Sequence, residues 1–478
     1  MSISNQLKNQ HLLWRAAFGP MAENVNELSD TSPQNLYALL LKASSKTLEN
    51  FNVASNLFDG LVKGVRDVVQ LQNLSKEQKQ MIRKQSRNDL KNLNLKWLNE
   101  MINSEAQLRE KTSLFWHGHF ACRVINIYFQ QQLLDIIRKN ALGNFGNMLR
   151  EVSKSPAMLS FLNNQQNKKQ HPNENFAREV MELFTMGRGN YSESDIKEAA
   201  RAFTGWGFNI HGEFVDRPFQ HDNGNKTFLG KTGNFNGDDI IDILLEQKQT
   251  ARFITNKIYK YFVNENSDSN KVETLANGFY QSGYSIKKLL EDIYISDWFY
   301  DKKNIGNKIK SPVELLVGIR RLLPMEIKNE EIQLLFQRVL GQILFYPPNV
   351  AGWPGGKNWI DSSALMLRLS IPRVLTNANE FLIKPKDDDD TMMGSKTEEN
   401  SETKGRQVYT EVDWKSVLKV FESIPRENLA EDLSNLVLQT QSKISKNILE
   451  KYIDKGSREN YIKTTIVELM STPEYQLC

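Results

Sequence analysis

Apolar residues spaced three and four apart recur along most of this chain, and that period commits it to packed α-helices. Leu36, Leu39, Leu40 and Leu41 sit in one such stretch, and the spacing returns over residues 89–102, 123–138, 250–263 and 312–323. The expected fold class is mainly α, a multi-helix globular protein, and 478 residues suffice for a large buried core. Ser75 to Trp97 is rich in Lys, Arg and Gln and reads as the solvated face of a long helix. Between Gly205 and Gly237 the pattern shortens to alternating pieces: Phe208 with Ile210, a His211-Gly212 turn, Phe214 to Phe219, then Lys226 to Leu229. This predicts a small β-hairpin excursion around residues 206–237.

Residues 384–411, with Asp387 to Asp390 and few apolar side chains, cannot bury enough surface to offset the entropy of ordering. They are expected to form a flexible acidic insertion. It separates a helical body, 1–383, from C-terminal helices, 412–478, that pack back on that body. A spacing repeats at Leu149 to Met158, Leu290 to Phe299 and Ile466 to Tyr475, each a helix end followed by Ser or Thr and a new turn. Helix capping explains it without a ligand.

Charge excludes one broad function class: 61 Lys and Arg against 57 Asp and Glu leave +4, too little for an electrostatic footprint on nucleic acid. Two cysteines, Cys122 and Cys478, exclude a disulfide framework but leave one bridge open. The start has no apolar run of signal-peptide length, and no uncharged stretch reaches membrane-spanning length. The expectation is a cytoplasmic protein with no transmembrane segment, export with a partner remaining open. Gly-x-Ser-x-Gly, phosphate-loop, dinucleotide and His-Glu-x-x-His signatures are absent.

The chemistry-bearing residues cluster between Trp116 and Trp206. In His171 to Phe184 the helical period puts Phe176, Val180, Leu183 and Phe184 on an apolar stripe, with Glu179 and Glu182 on its flank. Glu179 falls nearest the core and should need a cationic or hydrogen-bonding partner, with Arg15, Arg201 and His171 as candidates. A helix held by Glu174–Arg178 and Arg178–Glu182 pairs is the alternative. As chemistry, Glu179 and Glu182 are candidate general bases or metal ligands, Arg178 an anion contact, and His171 a ligand or proton carrier. In Phe115-Trp116-His117-Gly118-His119-Phe120, His117 and His119 are candidate ligands for a divalent metal ion. They can share one only if Gly118 breaks the helix, because residues i and i+2 otherwise face different ways. Packing among the aromatics is the other reading. Pro347 to Gly356 is a rigid turn that either walls a pocket or is buried structure.

These segments resemble one family, the bacterial domain-of-unknown-function family 1800. The matching pieces are LLWRAAFGP from Leu12, FWHGHF, SPAML from Ser155, HPNENFAREVMELFTMGRGNY, DIKEAARAFTGW, HDNGNKTFLG with GNFNGDD, and PPNVAGWPGG, in order over nearly the whole chain. The resemblance implies no reaction or cofactor. It implies an exported protein in many members and a neighbouring gene for an alkaline-phosphatase or sulfatase-like protein, hence a possible partner. This chain departs by lacking a signal peptide and by its acidic insertion. Two functions stay open: a binding or assembly partner of that phosphatase-like protein, and a metal-dependent or acid/base hydrolase-like enzyme using the His, Glu and Arg cluster.

Overall fold

Hydroxyl and amide side chains set most helix starts. In the computed structural model Ser4 accepts the Leu7 N–H to open α1 (Asn5–Ala16), and Ser75 with Gln78 forms a capping box on α2 (Lys76–Asn103). The structure describes residues 3–24, 27–54, 75–209, 211–377, 380–381, 406–441, 443–444 and 446–478. Helix α3 (Gln107–His119) starts without a side-chain cap, and Asn126 caps α4 (Ile127–Asn140). Asn173 opens α5 (Glu174–Glu179), and a Ser192–Asp195 capping box opens α6 (Glu193–Ala202). Then follow α7 (Lys248–Phe262), α8 (Pro312–Leu322) with a Ser311–Glu314 box, α9 (Ser362–Asn377), α10 (Leu429–Val437) and α11 (Arg458–Met470).

The fold is mainly α with small hairpins, as the period required. Over the predicted excursion β1 (Trp206–Phe208) pairs antiparallel with β2 (Phe214–Asp216), and β3 (Lys226–Phe228) with β4 (Lys231–Gly233). Ile210 lies outside the described residues. Most of the 384–411 insertion does too, but Arg406–Gln407 pairs with Glu380–Phe381, and β6 (Thr410–Val412) pairs with β5 (Met325–Ile327). Paired chain therefore resumes before residue 412.

At the three repeated helix ends the hydroxyl closes the helix it leaves: Ser155 donates to the Val152 carbonyl, Ser296 to Asp292, and Thr472 to Leu469. Ser155 also caps the next helix through the Met158 N–H. Both duties satisfy orphan backbone groups and need no ligand.

Apolar side chains gather in three clusters. The largest joins α1, α3, α4, α6 and α7. A second joins α8 and α9 to α10 and α11 through Leu315, Leu375, Leu433 and Ile466, so the C-terminal helices share their core with the body. A third holds Leu93 and Trp97 of α2 with Leu114, Val313 and Phe345. Helix α3 stands between the first and third, giving Phe115 and Trp116 to one and Leu114 to the other. Its fully buried Glu110 accepts from Trp97 Nε1 at 2.9 Å and pairs with Arg138 at 2.9 Å, locking α2, α3 and α4 in register. Both cysteines are buried and free. No described helix is long and apolar enough to cross a membrane.

Candidate functional site

Helix α3 runs through Gly118 without a break, so its two histidines face different surroundings. His117 Nε2 accepts the Phe345 N–H at 3.2 Å, and its ring meets Trp97 edge-on at 5.1 Å and Trp353 at 5.4 Å. Burial alone pushes it down to about 3, so it is neutral. His119 turns the other way, toward the helix that carries Glu179.

That helix changes pitch where it ends. Val180–Thr185 continues α5 as a π-helical turn, with Met186 and Gly187 both donating to the Met181 carbonyl. The last carbonyls of a helix lack partners within it, and two here find side chains. Phe184 O lies 3.3 Å from His119 Nε2, and Leu183 O accepts from Lys257 Nζ at 3.4 Å. A carbonyl can only accept, so His119 carries its proton on Nε2 and presents the Nδ1 lone pair, which sits 3.1 Å from Lys257 Nζ. Burial and then the charge of Lys257 hold His119 well below the usual histidine range. Burial pushes Lys257 itself down to about 8. No described carboxylate pairs with it, and its charge leans on a histidine and a helix C-terminus.

Lys257 and His119 line a cleft of about 400 Å³ between the end of α3, α7, the start of α8 and the loop 351–359. Trp353, Trp359, Phe115 and Tyr261 supply aromatic wall, and Lys260, Glu265, Lys308 and Glu314 supply charge. The turn Pro347 to Gly356 thus walls a pocket, one of the two outcomes open from sequence. It sits close because Gly352, at φ +84°, lies against the Gly118 carbonyl, where a Cβ would come within 2.4 Å.

The cleft floor is ionic. Glu314, the capping-box residue of α8, accepts the Ser311 N–H at 2.7 Å, Lys308 at 3.0 Å, and Lys111 of α3. Burial opposes its charge, but Lys111 and Lys308 outweigh that and hold the carboxyl well below its usual range. Two cations share one carboxylate, which leaves positive charge beside the cleft. Tyr261 has its hydroxyl shut off from solvent with no hydrogen-bond partner among the described residues, although its ring is partly exposed. Burial, then Glu314, raise it well above the usual tyrosine range, so it is a neutral donor.

The other residues singled out from sequence do not join this cleft. Arg178 points outward to Glu174 and Glu193, at 3.2 and 2.9 Å. His171 is exposed at a turn, its N–H on the Lys168 carbonyl. Glu182 accepts from the Tyr191 hydroxyl at 3.0 Å. Glu179 is half-buried and, contrary to the expected partner, has no ion pair or hydrogen bond among the described residues. Arg15 turns its Nη2 to Asn304, Asn307 and Cys478 instead, and Arg201 pairs with Glu198 and Asp222. Burial and then Glu182 raise the Glu179 carboxyl, with Arg178 opposing. No described group of three or more His, Cys, Asp or Glu is arranged to hold a metal ion, and His117 and His119 do not converge.

Sequence reasoning missed Lys257, Tyr261, Lys308 and Glu314. A signal existed: Phe253, Lys257 and Tyr261 fall at i, i+4 and i+8 of α7, placing a lysine in line with aromatics. A family model described as "Protein of unknown function (DUF1800)" matches residues 11–477. No curated protein and no solved structure matches the chain.

Proposed function

Because the chain belongs to the DUF1800 family over nearly its whole length, and that family's description assigns no activity, we propose a function from the cleft itself: binding, as substrate, of a small organic anion with a flat apolar part. The observation that carries this reading is Lys257, a cation held in the wall of a cavity and in no ion pair with any described carboxylate. An unpaired buried charge costs stability, and such costs concentrate at binding and reacting groups. A carboxylate or phosphate of the ligand would supply the missing partner, and Trp353 and Trp359 faces for its planar part.

This takes the enzyme-like alternative of the two sequence readings and moves its chemistry from the Glu179 face to the His119–Lys257 pair. The support over an assembly role is the concavity: a cleft of about 400 Å³ suits a small molecule. Calorimetric titration with small mono- and dicarboxylates and phosphate monoesters tests it. Saturable binding by wild type and its loss in Lys257→Met, with the fold intact by circular dichroism, is expected. Equal binding by both proteins would remove the proposal's basis.

A further inference from the structure

We propose that Lys257 is a carbonyl-capturing amine, and that the ligand of this cleft is a small oxo acid whose carbonyl carbon it takes as a Schiff base. This rests on the reading of the cleft as a small-anion site. The argument begins with the hydrogen-bond count at Nζ. Two of its three free directions are occupied, one by His119 Nδ1 at 3.1 Å and one by Leu183 O at 3.4 Å. Both partners accept. A neutral amine has two N–H groups and one lone pair, so donating both leaves the lone pair in the remaining direction, the one without a partner among the described residues. Lys257 lines the cleft, which is where an electrophile would stand.

Two further features fit an amine rather than a fixed ammonium. The neighbours of Nζ are a neutral imidazole and a carbonyl, and the Phe253 ring centroid lies 5.1 Å from it. None is an anion that would hold the proton. Desolvation pushes the group down to about 8, so an appreciable fraction is free amine near neutral pH. Lys260 and Lys308 line the same cleft, so an acid group beside the reacting carbonyl has cations to meet.

The chemistry balances without oxidant or reductant. The ammonium first gives one proton to water. The amine lone pair forms the C–N bond as the C=O π pair moves to oxygen, and proton transfers make a neutral carbinolamine. Its C–O bond then breaks as the hydroxyl leaves with a proton as water, and the nitrogen pair closes the C=N bond. The product is the protonated Schiff base; overall, ammonium and carbonyl give iminium and one water. His119 is a positioning residue here: its tautomer, fixed by Phe184 O, makes Nδ1 an acceptor that aims the amine.

The experiment uses the full chain with glyoxylate and sodium cyanoborohydride, read by intact mass and peptide mapping, and with oxalate as a probe that has the charge but no reactive carbonyl. One carboxymethyl adduct per chain, at Lys257, is expected, at least tenfold faster than at any other lysine and absent in Lys257→Arg. His119→Asn should slow trapping at Lys257 by at least tenfold while oxalate still raises the melting temperature. Oxalate binding without selective labelling of Lys257 would overturn the amine proposal and leave the anion site standing. Selective labelling by glyoxylate and acetaldehyde alike, with no oxalate binding, would keep the amine and discard the anion site. Neither signal would discard both.

Discussion

His119 Nδ1 sits 3.1 Å from Lys257 Nζ, and the proton that decides their relationship is fixed from the far side of the ring by the Phe184 carbonyl. The glutamate-bearing helix therefore serves the cleft through its backbone. A π turn at its end leaves two carbonyls to hold the histidine and the lysine. Its carboxylates point elsewhere.

Lys257 should titrate near pH 8 rather than near 10.5, since burial disfavours its charge. Because the folded value lies below the unfolded one, the unfolded chain binds more protons between about pH 8 and 10.5, and this group's contribution to stability rises with pH across that window. Acetylation rates at Lys257 across pH, followed by mass spectrometry, should reach half-maximum near pH 8. A midpoint above 10 would mean that the amine is solvated or paired.

Glu314→Gln should cost about 3–5 kcal/mol, because it leaves Lys111 and Lys308 buried without their shared counter-charge. Glu314 is held below its unfolded value, so what it contributes is present above pH 4.5 and is lost as pH falls through the folded value. Denaturant unfolding of Glu314→Gln at pH 7 checks the first statement. Adding Lys308→Met should recover part of the loss, since it removes one stranded cation. A double variant weaker than the single one would show that the lysines stabilise by packing.

Glu179→Gln should keep or slightly raise the melting temperature, whereas Glu182→Gln should lower it modestly. Glu179 is a carboxylate without a partner among the described residues, its charge disfavoured by burial and by Glu182; Glu182 holds the Tyr191 hydroxyl. With the Glu179 folded value raised, the native state is favoured at low pH and that advantage fades as pH rises through it, so the gain from Gln should show at pH 7 and vanish near pH 4. A large loss on Glu179→Gln at pH 7 would reveal a structural contact.

Two glycines that meet across the cleft wall should respond in opposite ways. Gly352→Ala places a Cβ against the Gly118 carbonyl from a left-handed backbone and should destabilise by about 2 kcal/mol or more, with a change in Trp353 emission. Gly118→Ala puts its Cβ in open space inside a helix and should stabilise by about 0.5–1 kcal/mol. Thermal melts of the two variants side by side decide this.

His117→Leu should cost about 1–3 kcal/mol at pH 7 by leaving the Phe345 N–H unsatisfied. It should also remove acid sensitivity. With a folded value near 3, His117 resists the protonation that the unfolded chain accepts below about pH 6.5, so wild-type stability falls between those values. Equal acid sensitivity in the variant would assign that loss to other groups.

Local spacing alone was enough to read the mainly helical class and a hairpin excursion around residues 206–237, because helical and strand periods depend on residues close together in the chain. It also put Glu179 beside the apolar stripe, where it is half-buried, yet implied a partner that is not found among the described residues. Whether α3 would break at Gly118 was open from sequence; the helix runs through it to His119, and the Gly118 carbonyl is closely approached by Gly352, far along the chain. The same holds for the site. His119, Lys257, Lys308, Glu314 and Trp353 come from separate elements whose meeting depends on how the apolar clusters join α3, α7 and α8. Nothing within one turn of Lys257 encodes that its charge has no counter-ion among the described residues, because that is decided by which distant segments pack against it.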